Sequence, residues 1–284
     1  MQKLMTVNDV LFYIENNFSE GIDIDDITRF SGYSRRHIQG ILKQTISMPV
    51  GLYIRKRRIT EAAYLLRLTN MDLIDISLKM GFDSQQTFCR EFKKLTGYTP
   101  RQYRKNHVWD LSPLTAKVGK KRVTIDSWKL VSLPGHYISG IQYRYNTIIP
   151  PTDELYVNRL KIILEQLSSS RQDVWSITEF SPHPYSVSKL KINTIIGRTE
   201  SPEFNEHNRF HYRSGVYACF SYKFHKDDYH LYSQYIYIKM LPFYNLKREK
   251  GRDIEVFYYN PEGFSNDIIA CDHYIPVECN GQEF

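Results

Sequence analysis

The stretch GFDSQQTFCREFKKLTGYTPRQYRK, residues 81–105, decides the fold of the N-terminal half of the chain. Gly81 tolerates the left-handed conformation that commonly ends a helix, and Ser84 is a favourable N-cap for the helix that follows. Phe88 and Phe92, four residues apart, place two apolar side chains on one face of that second helix. A helix, a tight glycine turn and a capped helix together predict a helix-turn-helix unit.

The same pattern occurs about 50 residues earlier, where Gly32, Ser34, Ile38 and Leu42 repeat the order of glycine, cap and two apolar positions. A long helix, predicted over residues 49–68, connects the two units. At 1.5 Å per residue it spans about 30 Å, which is close to one turn of B-DNA, about 34–36 Å. One chain could therefore place two reading helices in successive major grooves. The alternative is a two-unit helical repeat that serves only as a packing scaffold.

The outward faces of the two predicted reading helices, which follow Ser34 and Ser84, carry side chains suited to DNA. Glutamine can bond adenine, arginine can bond guanine and threonine can contact the thymine methyl group, whereas lysine suits phosphate. The base-facing candidates are Arg36 and Gln39 on the first reading helix and Gln85, Gln86, Thr87 and Arg90 on the second. The phosphate-facing candidates are Arg35, Lys43, Lys93 and Lys94. Each residue alone is typical of a solvated helix, but the same chemistry in two repeats favours DNA recognition.

The charge distribution points to the same class of partner. Residues 1–122 contain 21 of the 38 Lys and Arg and 12 of the 31 Asp and Glu, a net charge of +9, whereas the rest of the chain carries −2. Such an asymmetry favours contact between the basic half and a polyanion, although a solvated basic surface would have the same composition.

The segments GYSRRHIQ, YIRKRRITEAAYLLRLT and GFDSQQTFCREFKKLTGYTPRQYRK resemble the DNA-binding domain of the AraC/XylS regulators, in particular its stress-response activators. The resemblance covers about residues 7–105, and FDSQQTFCR matches the second reading helix. It implies a sequence-specific DNA-binding regulator that activates stress-response promoters and contacts RNA polymerase. That subgroup has Trp at the position of Arg36 and Arg at the position of Gly40. We therefore expect looser base discrimination by the first reading helix.

The C-terminal half shows a second internal repeat. After a polar segment at 107–122, predicted to be a linker, a lead-in strand at 123–133 precedes two passes of strand, helix, strand and strand. The first pass is predicted at 137–145, 152–168, 174–180 and 192–198, and the second at 216–224, 228–241, 253–259 and 268–277. The predicted architecture is an all-α tandem helix-turn-helix domain at 1–106, followed by an α+β domain of duplicated β-α-β-β units at 123–284.

The stretch LPFYNLKREKGRDIEVFYYNPE, together with this duplication, resembles the GyrI-like effector-binding domain. The resemblance implies a groove between the repeats, lined by aromatics and a buried acid, that takes a small organic ligand with a large apolar body. Glu255 is the candidate acid; alternatively, it is a structural acid paired with Arg248 or Arg252. The candidate pocket aromatics, each of which could instead be a core residue, are Tyr143, Tyr145, Trp175, Phe220, Tyr222 and Tyr258.

Other functional classes have weaker support in the sequence. We find no phosphate loop, nucleophile elbow or metal-ligand spacing, so we expect no enzyme activity, cofactor or metal. The four cysteines are scattered, and no signal peptide or apolar run of 18 residues is visible, so we expect a cytoplasmic protein without a membrane span. Because one chain carries both reading helices, we expect it to act as a monomer. Two alternatives remain: an architectural or origin-binding DNA protein without a ligand, and a C-terminal domain that hydrolyses a small molecule.

Overall fold

The computed structural model describes residues 5–118, 123–149, 153–199, 209–262 and 267–278, which fall into two compact units. The first unit contains the described residues up to Asn106 together with 113–118. The second unit contains residues 107–112 and the described residues from 123 onward. The segment that we predicted as a linker is therefore divided between the two units along its described part, and residues 119–122 lie outside the described residues.

Seven α-helices form the described part of the first unit. They are α1 Val7–Asn17, α2 Ile24–Ser31, α3 Arg35–Ile46, α4 Val50–Leu68, α5 Leu73–Lys79, α6 Gln85–Thr96 and α7 Pro100–Lys105. The caps agree with the predicted ones, because the hydroxyl of Ser34 accepts from the backbone of His37 and that of Ser84 accepts from the backbone of Thr87. Helices α2–α3 and α5–α6 are thus two helix-turn-helix units joined by α4.

The interior of this unit follows the predicted apolar pattern. Ile38 and Leu42 on α3 are fully buried, as are Phe88 and Phe92 on α6. Gly81, between α5 and α6, has a φ of 68°, and a Cβ atom there would lie 2.5 Å from the carbonyl oxygen of Ser19. A side chain at this position would therefore both strain the backbone and collide with the turn that follows α1.

A buried charged cluster fixes α1 against α4. Arg57 on α4 donates hydrogen bonds to Glu15 at 3.1 Å and to Glu61 at 3.2 Å, and Tyr53 donates its hydroxyl to Glu15. Burial lowers the pKa of Arg57, but the two carboxylates raise it by more, so the guanidinium stays charged. Arg57 also donates to the carbonyl oxygen of Thr115 at 3.0 Å, which ties residues 113–118 to the helix that joins the two helix-turn-helix units.

The second unit is built on one eight-stranded antiparallel sheet of described residues, in the order β1-β6-β8-β7-β3-β4-β2-β5. The strands are β1 Ser127–Leu133, β2 His136–Thr147, β3 Val174–Pro182, β4 Leu190–Thr199, β5 Arg209–Tyr212, β6 Gly215–His225, β7 Asp253–Tyr258 and β8 Ile268–Pro276. Helix α8 spans Asp153–Ser170, and α9 Tyr229–Tyr235 continues through a π-helical turn, Ile236–Met240, into α10 Leu241–Phe243.

The duplicated β-α-β-β architecture is confirmed. The first repeat is β2-α8-β3-β4, the second is β6-α9-β7-β8, and the two meet where β3 pairs with β7. The lead-in strand begins at Ser127 rather than at residue 123. Strand β5, which we did not predict, has four residues and pairs with the start of β2 at the edge of the sheet, so its alternation is too short to identify a strand.

Candidate functional site

The first reading helix is α3, and its predicted DNA-facing residues are all exposed. These residues are Arg35, Arg36, Gln39 and Lys43. Arg35 lies 3.3 Å from Asp25, but both side chains are more than half exposed. Because exposed ion pairs contribute about 0–1 kcal/mol, this arginine can exchange the carboxylate for a phosphate at little cost. A Cβ atom at Gly40 would meet nothing within 4 Å, so this face has an open position between its polar side chains.

The second reading helix is α6. Gln86, Arg90, Lys93 and Lys94 are exposed, as the sequence predicts for a reading face. Gln85 and Thr87, in the first turn of the helix, are half-buried. The hydroxyl of Thr87 lies 3.0 Å from that of Ser84. The threonine hydroxyl therefore contacts the capping serine, and the methyl group can contact a thymine.

Side chains of helix α4 bond to residues around both helix-turn-helix units. The guanidinium of Arg58 donates to the carbonyl oxygen of Phe18 at 2.5 Å and to that of Gly81 at 3.4 Å, so one side chain holds the turn after α1 and the turn before α6. Arg55 lies 3.6 Å from Glu91 of α6. Sequence reasoning missed these roles, although the run Arg55–Arg58 on the connecting helix was a visible signal.

In the second unit, a small cavity lies between the helices and the sheet. It has a volume of about 30 Å³, and its polar lining includes Tyr145, Arg159, Glu255 and His273. Such a space holds about one water molecule, far less than the roughly 300–1,000 Å³ of a typical ligand pocket.

Glu255 is buried beside this cavity and pairs with an arginine that the sequence did not indicate. One of its oxygens pairs with the guanidinium of Arg159 on α8, and the other accepts from the hydroxyl of Tyr229 at 2.9 Å. Arg159 also donates to Ser176 at 2.7 Å. Helix α8 thus supplies the counterion of the predicted acid.

The partners that we considered for Glu255, Arg248 and Arg252, were wrong. Arg248 pairs with the buried Asp253 at 2.9 Å, and Arg252 pairs with Glu179 at 3.2 Å. Arg252 precedes Glu255 by three residues and so faces the other side of the sheet, whereas Arg248 reaches the same side but is taken by Asp253.

The six predicted pocket aromatics do not come together. Tyr145 lines the cavity, and Tyr143, two residues earlier on β2, is half-buried on the same face. Phe220 and Tyr222 are buried core residues of β6 outside the cavity lining. Trp175 and Tyr258 lie on the opposite face of the sheet, since the strand register pairs Ser176, not Trp175, with Glu255.

Several buried polar atoms around the cavity have no hydrogen-bond partner among the described residues. They are Nε of Arg159, the hydroxyl of Tyr145 and both ring nitrogens of His273. His273 Nε2 lies 3.8 Å from Asp253, which is too far for a hydrogen bond. Burial raises the pKa of Tyr145, so its hydroxyl remains protonated and can donate. The cavity is therefore bordered by groups that can bond water or the polar part of a ligand.

Two other kinds of site are absent from the described ranges. No set of three or more His, Cys, Asp or Glu in these residues is placed to hold a metal ion. None of the helices described is both long and apolar enough to cross a bilayer.

Comparison with known proteins assigns both units. Residues 27–106 match a helix-turn-helix domain, and residues 176–278 match the GyrI-like small molecule binding domain. The F1 operon positive regulatory protein of Yersinia pestis is 36% identical over 100% of this chain and 92% of its own length. The right origin-binding protein of Escherichia coli K12 is 25% identical over 98% of this chain and 99% of its own.

A third relative, the transcriptional activator AarP of Providencia stuartii, is 45% identical over 34% of this chain and 73% of its own length. These matches confirm the family and the two-part fold predicted from sequence. The chain is a member of the AraC/XylS family of transcription regulators, and in this chain a helix-turn-helix DNA-binding domain is joined to a GyrI-like small-molecule-binding domain.

Proposed function

We propose that this regulator is a ligand-responsive activator that binds an asymmetric duplex site as a monomer and contacts RNA polymerase there. The observation that carries the proposal is that the 19-residue helix α4 connects the units that contain α3 and α6. Its length of about 28 Å is close to one turn of B-DNA. Both reading helices expose base-bonding and phosphate-bonding side chains. Two relatives named as a positive regulatory protein and an activator support the activating role.

The DNA-binding part of the proposal is tested by mapping occupied genomic sites and then transcribing one of them in vitro with purified RNA polymerase. We expect occupied sites to carry two unequal half-sites, one protein monomer to fill both, and transcription to rise when the protein is added. A fragment of residues 1–122, which keeps residues 113–118 on α4, should bind the same site. A folded fragment that does not bind would refute this division of labour.

A second candidate is an architectural or origin-binding protein without a ligand. This candidate is supported by the similarity of nearly the whole chain to a right origin-binding protein. Transcript measurement after induction separates the two candidates. Occupied sites without transcript changes at neighbouring genes would favour the architectural function.

For the second unit we propose binding of a small organic molecule with a large apolar body, between the two repeats and beside Glu255. The cavity, at about 30 Å³, is too small for such a molecule, so we propose that α8 and α9 move away from the sheet when the ligand binds. Thermal-shift titration of the full chain with bile acids, fatty acids, aromatic chelators and lipophilic cations should reveal a concentration-dependent rise in melting temperature. Glu255→Gln should reduce that rise if the carboxylate takes part in binding. No shift with any of these classes would leave this unit as an interaction or stabilising module.

We further propose that the protein is a regulator without catalytic activity and that it is located in the cytoplasm with its DNA. Incubating the pure protein with any ligand found by thermal shift, and analysing the mixture for products, tests this. Turnover of the ligand would instead support the small-molecule hydrolase that the sequence left open.

A further inference from the structure

The surroundings of the Arg159 guanidinium have the composition of a cation-binding site. A buried carboxylate, Glu255, pairs with it, and the guanidinium carbon lies 5.8 Å from the centre of the Tyr229 ring. A carboxylate and an aromatic face are the two groups with which proteins commonly hold an organic cation in a dry site. Here a side chain of α8 occupies that site.

The occupant is held firmly and stays charged. Arg159 is 9% exposed and Glu255 is 3% exposed, so water screens the pair weakly. Burial lowers the pKa of Arg159, but the adjacent carboxylate of Glu255 raises it by more. Ser176 and Tyr229 add hydrogen bonds to the two members of the pair, so each charge has a second partner.

We propose that Arg159 sets the charge of the effector by acting as a built-in cation beside Glu255, so that the site between the repeats rejects lipophilic cations and admits neutral or anionic molecules. This inference rests on the proposed ligand-binding function of the second unit. A positively charged ligand would have to approach a carboxylate that is already neutralised and would meet the like charge of the guanidinium.

The unsatisfied groups around the cavity fit the same selectivity. Nε of Arg159 is a donor, and the hydroxyl of Tyr145 and the ring of His273 can each donate a hydrogen bond. These groups suit an oxygen acceptor on the ligand rather than an ammonium or phosphonium group. The two carboxylates in the lining do not offer a free charge, since Asp253 pairs with Arg248 and Glu255 pairs with Arg159.

The test compares the full chain with its Arg159→Leu variant, using tetraphenylphosphonium as a lipophilic cation and N-phenyl-1-naphthylamine as a neutral apolar probe. Equilibrium dialysis measures the first probe, and fluorescence titration measures the second. We expect the parent to bind the neutral probe saturably and to bind the cation weakly. Arg159→Leu, which empties the site and leaves the carboxylate unpaired, should bind the cation at least about tenfold more tightly, and adding Glu255→Gln should abolish the gain.

Arg252→Leu is the matched control. It removes an arginine from an ion pair in the same unit, with Glu179, but that pair is about two-fifths exposed. This variant should bind both probes as the parent does. If Arg159→Leu does not fold, Arg159→Gln, which keeps a donor for Glu255 but loses the charge, replaces it and should show a smaller gain in cation binding.

The outcomes separate the inference from the proposed function. Saturable binding of tetraphenylphosphonium to the parent, with an affinity equal to that of Arg159→Leu, would overturn the role of Arg159. A folded Arg159→Leu or Arg159→Gln that gains no cation binding, while the neutral probe still binds, would overturn it as well. Failure of every variant and of the parent to bind either probe would overturn the ligand site itself.

Discussion

The salt dependence of DNA binding offers a quantitative test of which cationic side chains contact phosphate. Four cationic side chains, two on each reading helix, are assigned to phosphate. They are Arg35, Lys43, Lys93 and Lys94, and all four are exposed. Each neutralised phosphate contributes about 0.9 to the slope of log affinity against log salt, so the four together give about 3.6. Raising the salt concentration fourfold should therefore weaken binding by about 150-fold.

Replacing Lys93 and Lys94 with glutamine removes two of these contacts from α6. The slope should fall to about 1.8, and the same fourfold rise in salt should then weaken binding only about 12-fold. Fluorescence anisotropy with a labelled operator, measured between about 50 and 200 mM salt, provides both slopes. Preference among operator sequences should stay unchanged, because phosphate contacts carry no direct base information.

A matched control separates local contact from overall charge. Lys223→Gln with Lys250→Gln lowers the formal net charge of +7 by the same two units, but both lysines are exposed in the second unit. The control should keep the parent slope. An unchanged slope in the α6 variant, or an equal fall in the control, would refute the assignment of these lysines to phosphate.

Three further predictions concern the first unit. Arg90→Ala and Gln86→Ala should each weaken operator binding by about 1–3 kcal/mol and relax preference at one base pair; a position-by-position binding matrix tests this, and unchanged matrices would contradict it. Gly40→Arg should fold normally, because a Cβ atom there meets nothing within 4 Å, and should sharpen or change discrimination in the half-site read by α3. The parent should discriminate less there, and equal information in both halves of its matrix would contradict this. Arg57→Ala should lower the unfolding free energy of the first unit by about 3–5 kcal/mol, since it leaves two carboxylates buried without a cation, whereas Arg35→Ala, whose pair with Asp25 is more than half exposed on both sides, should cost about 0–1 kcal/mol. Urea unfolding followed by far-UV circular dichroism reports mainly on the first unit, which contains most of the described helical residues, and the three tryptophans, all in the second unit, report on that unit separately; equal losses for the two variants would contradict the prediction.

Local signals in the sequence were sufficient for the elements and their faces. Ser34 and Ser84 cap α3 and α6 because a serine oxygen satisfies a backbone N–H of the first helical turn, whatever lies elsewhere in the chain. The burial of Phe88 and Phe92 follows from helical periodicity. The exposed base-facing and phosphate-facing residues then follow, because they lie on the other side of the same helices.

The predictions failed where the structure leaves no local signal in the sequence. Strand β5 was missed because a four-residue edge strand has too few positions to show alternation. The predicted linker at 107–122 reads as polar, yet the backbone of Trp109 pairs with that of Arg248, and the backbone of Thr115 bonds to Arg57 and Thr60. Backbone hydrogen bonds to distant residues leave no trace in composition.

The sequence by itself determined the helix caps and the buried and exposed faces of the helices in the first unit, because each depends on spacing within about twenty residues. Only the tertiary structure decided what Glu255 pairs with. Arg159 lies 96 residues away on α8, and it reaches Glu255 because β7 pairs with β3 at the seam where the repeats meet. The partner of a buried charge is set by which elements pack together, and a carboxylate in a strand can reach only the residues that the opposing helix brings to its face.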